Sequence, residues 1–485
     1  MATEDPVHGA PPLAAGRIVD GWRLDAKLHT GGMAHLWGVT AVEEPALAAM
    51  APFPGMATIM KVPRVKGGED PASIVSFEVE QLILPRLHGP HVPRYVARGD
   101  FTGTPHLVME CIPGVSLRPR LDEAPLAIDE VVGIGERVAA ALHDLHRQHL
   151  IHLDVKPSNI LQRADGVVVM VDYGLSHHDR LPDLLEEEFT LPIGTGPYMS
   201  PEQVQFVRSD PRSDLFALGV MLYHLTTGER PFGAPETVRG LRRRLYIDPV
   251  PPRALRGDCP PWLQEVILKC LEVKPDRRWQ SGAQLALALQ NPGQIALTAR
   301  AERMHGSGLL RRAKRWFYAA GAETKTTAAL GVASLVVRSP IIMAAVDVEN
   351  AAPELLERLQ ETVRRIVHTE PGARLACVSV MKAARIGMDE RVDKSGQVVH
   401  VKQLVGLKHW ARPISKSLDL DDGRLTFHVL LDTDPADAIV DFAERNQVDH
   451  IVMGARGNSS LRRYLGSVSS QVVARAVCTV TVVRA

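Results

Sequence analysis

Cysteine is scarce, long apolar runs are missing and the charges cancel; each shortage excludes a class of protein. The five cysteines, Cys111, Cys259, Cys270, Cys377 and Cys478, are scattered and odd in number among 485 residues. They lack the close pairing of a thiolate metal site and predict reduced thiols, not a disulfide framework. Lys and Arg number 56, matched by 56 Asp and Glu. That zero balance argues against a general nucleic-acid binder, so no nucleic-acid partner is expected. The longest apolar stretch, Ala328 to Val346, is broken by Arg338, Ser339 and Pro340 and is too short to span a bilayer. The opening Met1 to Pro6 has no basic region followed by an apolar one. Neither a secretory leader nor a transmembrane segment is therefore expected, and the expected location is the cytoplasm.

What is present is concentrated first in the run from Leu150 to Leu161. It places Asp154, Lys156 and Asn159 within six residues, between apolar stretches that must be buried. An Asp165-Gly166 turn follows, then the β-branched run Val167 to Val171, ending in Asp172-Tyr173-Gly174. Asp-Gly between two apolar runs is a strong hairpin signal, and such a hairpin folds Asp172 back toward Asp154 and Asn159. Three oxygen ligands and a lysine at one point suit a metal-bound polyphosphate beside a general base.

The stretch His152-Leu153-Asp154-Val155-Lys156-Pro157-Ser158-Asn159 with Asp172-Tyr173-Gly174 resembles the catalytic and metal loops of bacterial, eukaryotic-like Ser/Thr protein kinases. Leu153 stands where the family has Arg, and Tyr173 where it has Phe. Other segments resemble the family in order. The turn at Thr30-Gly31-Gly32 takes the place of the glycine-rich phosphate loop, keeping Gly31 of three glycines and adding Gly32. Lys61, on the strand Thr58 to Pro63, resembles the lysine that grips the α- and β-phosphates. Its partner on the Pro71 to Leu87 helix is expected to be Glu80, with Glu78 the fallback. His106 to Gly114 resembles the hinge, where the Glu110 carbonyl and the Ile112 amide would read adenine. The segment Ser176 to Pro192 reads as a mobile activation loop, closed by Gly194 to Glu202, with Thr195 placed to hydrogen-bond near Asp154 and Lys156. Asp214 would cap the catalytic loop backbone, and Arg278 would pair with Glu202.

From Pro340 the pattern changes to strands alternating with helices, which argues a doubly wound parallel α/β domain. Expected strands are Ile341 to Asp347, Leu375 to Val380, Leu425 to Leu431, Asp449 to Met453 and Thr479 to Val483, with a basic, less regular stretch running to about Asp421. Gly454, Gly457, Gly466 and Ser467 resemble the glycine loop of nucleotide-binding universal stress proteins, although the gap between Gly457 and Gly466 is eight residues, one short of that pattern. Asp347, at the end of the first strand, matches the family's adenosine-contacting acid.

The resemblance implies an α+β bilobal kinase fold over 17–290 (N-lobe about 17–110, C-lobe about 113–290), after a disordered stretch 1–16. A basic linker, 291–338, would lead to a Rossmann-like universal stress protein domain over 339–485. It implies ATP and Mg²⁺ as cofactors. Lys61 would be held by Glu80, Asp172 and Asn159 would be metal ligands, Asp154 the base and Lys156 the group that steadies the γ-phosphate. Implied partners are protein substrates bearing Ser or Thr, and a second copy of the chain through the last strand. Because Leu153 cannot pair with a phosphate, phosphorylation of the loop, Thr190 being nearest, is expected to be dispensable. The competing reading is a pseudokinase scaffold that binds nucleotide and signals through the stress domain.

Overall fold

The computed structural model describes residues 13–31, 33–64, 71–99, 103–188, 192–305, 340–370, 372–382, 399–418, 420, 424–455 and 467–484. Gly32, Thr190, Gly457, Gly466 and residues 306–339, which take in most of the expected linker 291–338, lie outside the described residues, as do the terminal residues 1–12.

Alternation builds the first layer. Trp22 and Leu24 turn inward while Arg23 and Asp25 stay exposed, and Met60 and Val62 repeat the pattern two strands away. Period-two burial of this kind requires a sheet with one covered face. The strands Ile18–Val19, Trp22–Thr30, Ala34–Ala41, Thr58–Pro63, His106–Glu110 and Tyr95–Gly99 lie side by side in that order, antiparallel throughout. The expected helix starts at Pro71 but stops at Ile83, and a tighter 3₁₀ turn carries Leu84–Arg86. Pro85 explains the change, since it cannot donate to the preceding turn.

Below that sheet the chain is helical. Ile128–Arg147, Arg212–Thr227, Pro261–Cys270 and Gly282–Gln290 pack around one apolar core. Small residues set their spacing: a Cβ on Gly135 would lie 2.8 Å from Leu222 and 3.0 Å from Leu289, and one on Gly219 would lie 2.4 Å from Cys270. The expected hairpin joins Ile160–Arg163 to Val168–Met170, and Gly166 takes the positive φ of its turn.

The C-terminal sheet has five parallel strands in the order Leu425–Asp432, Arg374–Lys382, Ile341–Ala345, His450–Gly454, Thr479–Val483. Parallel neighbours need crossover connections, and helices supply them on both faces. Ile342 and Ala344 turn toward the Pro353–Thr369 and Val399–Leu418 helices. Met343 and Ala345 turn the other way, toward Pro435–Arg445 and Ser467–Arg475. The fold class is therefore a bilobal α+β body followed by a doubly wound, Rossmann-like α/β domain.

Two expectations need correction. The basic, irregular stretch before Asp421 contains a twenty-residue helix, Val399–Leu418. Pro413 and Gly406 hide it in the sequence, yet Val401, Leu404, Leu407, Ala411 and Ile414 form a buried stripe at helical spacing. The described part of the activation segment is also structured. His177–His178 pairs with Leu150–Ile151, and Leu184–Glu188 is a short helix with Leu184 and Leu185 buried.

Candidate active site

The antiparallel strand Thr58–Pro63 carries Lys61 toward the helix behind it. Lys61 Nζ donates to Glu80 Oε2 at 2.5 Å and to Asp172 Oδ1 at 2.8 Å. Glu78 faces elsewhere, because residues two apart on a helix project to opposite sides; it pairs with Lys408 of the C-terminal domain. Burial works against the Lys61 charge, but the Asp172 and Glu80 carboxylates outweigh it and hold the ammonium well above its ordinary pKa. Burial raises the Glu80 carboxyl, with Lys61 opposing. Lys61 lowers that of Asp172, against burial.

Asp154 is the centre of the second cluster. Its Oδ1 accepts from Thr195 Oγ1 at 2.6 Å, and its Oδ2 accepts from Lys156 Nζ at 2.6 Å and Asn159 Nδ2 at 3.0 Å. Lys156 also donates to Thr195 Oγ1 at 3.0 Å. The loop that presents these groups is fixed from behind. Asp214, buried at the start of its helix, accepts the His152 and Leu153 amides at 2.9 and 2.8 Å. Two buried N–H groups in a turn need such an acceptor.

The two substituted positions are well packed. Leu153 is buried with φ of +59°, and its carbonyl accepts from Gln203 Nε2 at 2.8 Å. A left-handed non-glycine residue persists only where its surroundings hold it, and here Asp214 and Gln203 do so from both sides. The Tyr173 ring is buried against His152, and its hydroxyl donates to the Met170 carbonyl at 2.7 Å. The added oxygen thus has a partner, and the exchange is tolerated. Gly174 admits no side chain: a Cβ there would lie 2.2 Å from Ser76 Oγ on the helix that bears Glu80.

The residues fit a divalent cation. Asn159 Nδ2 is held by the Asp154 carbonyl and carboxylate, at 3.1 and 3.0 Å, so its Oδ1, met by Ser158 Oγ at 3.4 Å, would be the atom offered to a cation. Asp172, at the other end of the hairpin that follows Asn159, has a side chain 45% exposed, and hard oxygen donors of this kind suit Mg²⁺. The glycine turn is thinner. Gly31 N–H donates to the Ala34 carbonyl, and Arg64 Nη1 donates to the Gly31 carbonyl, both at 2.9 Å. At the hinge, Glu110 is tied to Arg163 at 2.8 Å, the Cys111 amide donates to Ala57, and Ile112 follows in irregular backbone.

In the C-terminal domain the strand order reverses between Ile341–Ala345 and His450–Gly454, the point at which open α/β sheets take ligands. Asp347 follows the first of these strands and Gly454 ends the second. The Asp347 carboxylate accepts the Asn350 amide at 3.1 Å, and a Cβ on Gly454 would lie 2.9 Å from Leu355. Ser467 begins its helix, Ser467–Arg475.

One feature of the site escaped the sequence. Asp183 accepts from Arg208 Nε at 2.7 Å and meets His177 Nδ1 at 3.0 Å, nearly buried, and so fastens the activation segment. Burial alone would raise its pKa, but Arg208 and His177 hold it well below the carboxylate range. His177, despite burial, is pushed up to about 9 by Asp179 and Asp183. Arg208 stands 25 residues beyond Asp183, so no local pattern signalled it.

Fold and site together define a protein kinase domain followed by a universal stress protein domain. The chain matches the protein kinase domain family over residues 59–290 and the universal stress protein family over residues 340–484. The kinase match begins past the thinned glycine turn. Serine/threonine-protein kinase PknB of Mycolicibacterium smegmatis is 32% identical over 231 residues, 47% of this chain and 37% of that protein. Its Mycobacterium tuberculosis namesake is 31% identical over 231 residues, again 47% and 37%. The chain thus spans little more than a third of these relatives, 37%. The solved kinase domain of Mycobacterium tuberculosis PknI covers 58% of this chain at 24% identity, with a TM-score of 0.44. Among the described residues no helix is long and apolar enough to cross a membrane.

Proposed function

We propose that the chain transfers the γ-phosphate of ATP to serine or threonine hydroxyls of proteins in the cytoplasm. The observation that carries this reading is the coexistence of two assembled clusters, Lys61–Glu80–Asp172 and Asp154–Lys156–Thr195–Asn159. Lys61, oriented by Glu80, holds the α- and β-phosphates. Asn159 and Asp172 would hold Mg²⁺, which when bound neutralises charge on the phosphates. Asp154 accepts the hydroxyl proton of the substrate, positioned by Thr195. Lys156 offers its ammonium to the transferring phosphoryl group. Positioning and electrostatics of this kind supply most of the acceleration in phosphoryl transfer.

Coupling to the stress domain rests on direct packing. Lys408 pairs with Glu78 on the helix that bears Glu80, and the Leu184–Glu188 helix lies between that helix and the strand Leu425–Asp432. Nucleotide at Asp347 and Gly454, or a second copy paired along the edge strand Thr479–Val483, would act on the kinase through these contacts.

Transfer from labelled ATP with Mg²⁺, to the protein itself and to a basic substrate, tests the reading beside Asp154→Asn. General-base loss should lower the rate by about 10²- to 10⁴-fold with ATP still bound. If the unmutated chain binds ATP and transfers nothing, the scaffold reading replaces the enzyme.

A further inference from the structure

A cavity of about 820 Å³ lies away from the catalytic cluster. That volume is within the range of small-molecule sites, about 300–1,000 Å³. Four segments wall it. These are the connection after the Leu84–Arg86 turn, the end of the Ile128–Arg147 helix, the start of the activation segment, and Arg424 at the head of a C-terminal strand.

The charges on this wall do not balance. Arg86, Arg147, Arg180 and Arg424 all line it, against a single lining carboxylate, Asp144. That carboxylate already faces His91 Nε2 at 3.3 Å. Arg180 Nη2 meets no acid but the His149 ring, at 2.7 Å. Arg86 gives Nη1 to the Leu82 carbonyl, and Arg424 gives Nε and Nη2 to the Ala373 carbonyl, at 3.1 and 2.9 Å. None of the four guanidiniums has a carboxylate partner among the described residues. Arg86, Arg147 and Arg180 are exposed and Arg424 is half-buried, so solvent screens part of their mutual repulsion and leaves an open, positively charged wall that favours an anion. Guanidinium groups, with their planar forked donors, match phosphate oxygens in bidentate geometry, as they match carboxylates.

We infer that this cavity binds a compact polyanion carrying two or more linked phosphates, clamped between the kinase domain and Arg424 of the stress domain. One phosphate would satisfy two guanidiniums at most in bidentate fashion, so four call for more than one. The site is separate from the ATP cleft, whose lysine is Lys61, and from the Asp347–Gly454 region. An occupant would touch the activation segment and the approach to the catalytic loop at once.

The test is titration calorimetry of the full chain with sodium tripolyphosphate, with sodium orthophosphate as the second probe. Arg147→Gln is expected to weaken tripolyphosphate binding at least tenfold and Arg424→Gln at least threefold, whereas Lys61→Met leaves it within twofold. Orthophosphate should bind at least tenfold more weakly than tripolyphosphate. Equal binding by the parent and both arginine variants overturns the site, as does loss that follows Lys61. Orthophosphate binding as tight as tripolyphosphate overturns the polyanion. Melting curves without ligand report whether each variant folds. Arg180→Gln, on a third segment, replaces either one that does not.

Discussion

At the scale of single residues, two positions have no freedom. Arg278 is fully buried and grips Glu202 through two bonds of 2.6 and 2.7 Å. Removing one partner of such a pair leaves an uncompensated buried charge, at about 3–5 kcal/mol. Arg278→Ala should therefore lower the urea-unfolding free energy of the kinase domain by that amount; a loss under about 1 kcal/mol would contradict the account. Gly174 is constrained by space. Gly174→Ala pushes a methyl group against Ser76, displaces the helix that carries Glu80 and separates Glu80 from Lys61. The expected result is a fall of about tenfold or more in kcat/KM for ATP, roughly the 1.4 kcal/mol of one weakened charged hydrogen bond, with the circular dichroism spectrum unchanged. Normal ATP kinetics would show that the helix can yield.

At the scale of elements, the described part of the activation segment is fastened by a charge cluster. Asp183, Arg208 and His177 supply the charged contacts there, whereas Leu153 on the catalytic loop is apolar and buried. His177 has a folded pKa of about 9, above its ordinary 6.5, so its share of the anchor is complete below 6.5 and lost as pH rises through 9. Asp183 has the opposite sign: its depressed pKa contributes above the ordinary 3.8 and fails only in stronger acid. Proteolysis of the segment around Leu184 should thus be slow from about pH 5 to 7 and accelerate toward pH 9 and above. Asp183→Asn should abolish that pH step and make cleavage fast throughout. Thr190 is outside the described residues, but the same reasoning expects Thr190→Ala to retain phosphate transfer. Near-complete loss in that variant would show that a phosphate is needed after all.

At the scale of the whole molecule, one helix serves two masters. Glu80 and Glu78 stand two residues apart on the Pro71–Ile83 helix, one turned to Lys61 and the other to Lys408. On the proposed reading, a shift of the stress domain would move the helix that positions Lys61. Lys408→Glu should change the phosphate-transfer rate about threefold or more, the reach of a coupling near 1 kcal/mol. Pairing it with Glu78→Lys should restore the parent rate. Identical rates in all three proteins would mean that the contact transmits nothing.

Much of this was legible from the chain alone. Asp154, Lys156, Asn159 and Asp172 are close because a short loop and an Asp-Gly hairpin bring them together, and local backbone chemistry suffices for that. The alternation of strands and helices after Pro340 likewise dictates a parallel sheet, since parallel strands need helical crossovers. Pairings across long sequence separations were legible only through the family resemblance, which named Glu80 for Lys61 and Glu202 for Arg278. Whether Lys61 meets Glu80 or Glu78 depends on how a helix is rotated over a sheet, and packing alone fixes that rotation. The Val399–Leu418 helix was obscured because Pro413 and Gly406 weaken local propensity, which burial of its apolar stripe overrides. The anchor at Asp183 and the four arginines around one cavity join residues that no local rule relates. Sequence determined which chemistry the chain carries; tertiary packing decided which charges face one another, because only a folded core sets distance and burial.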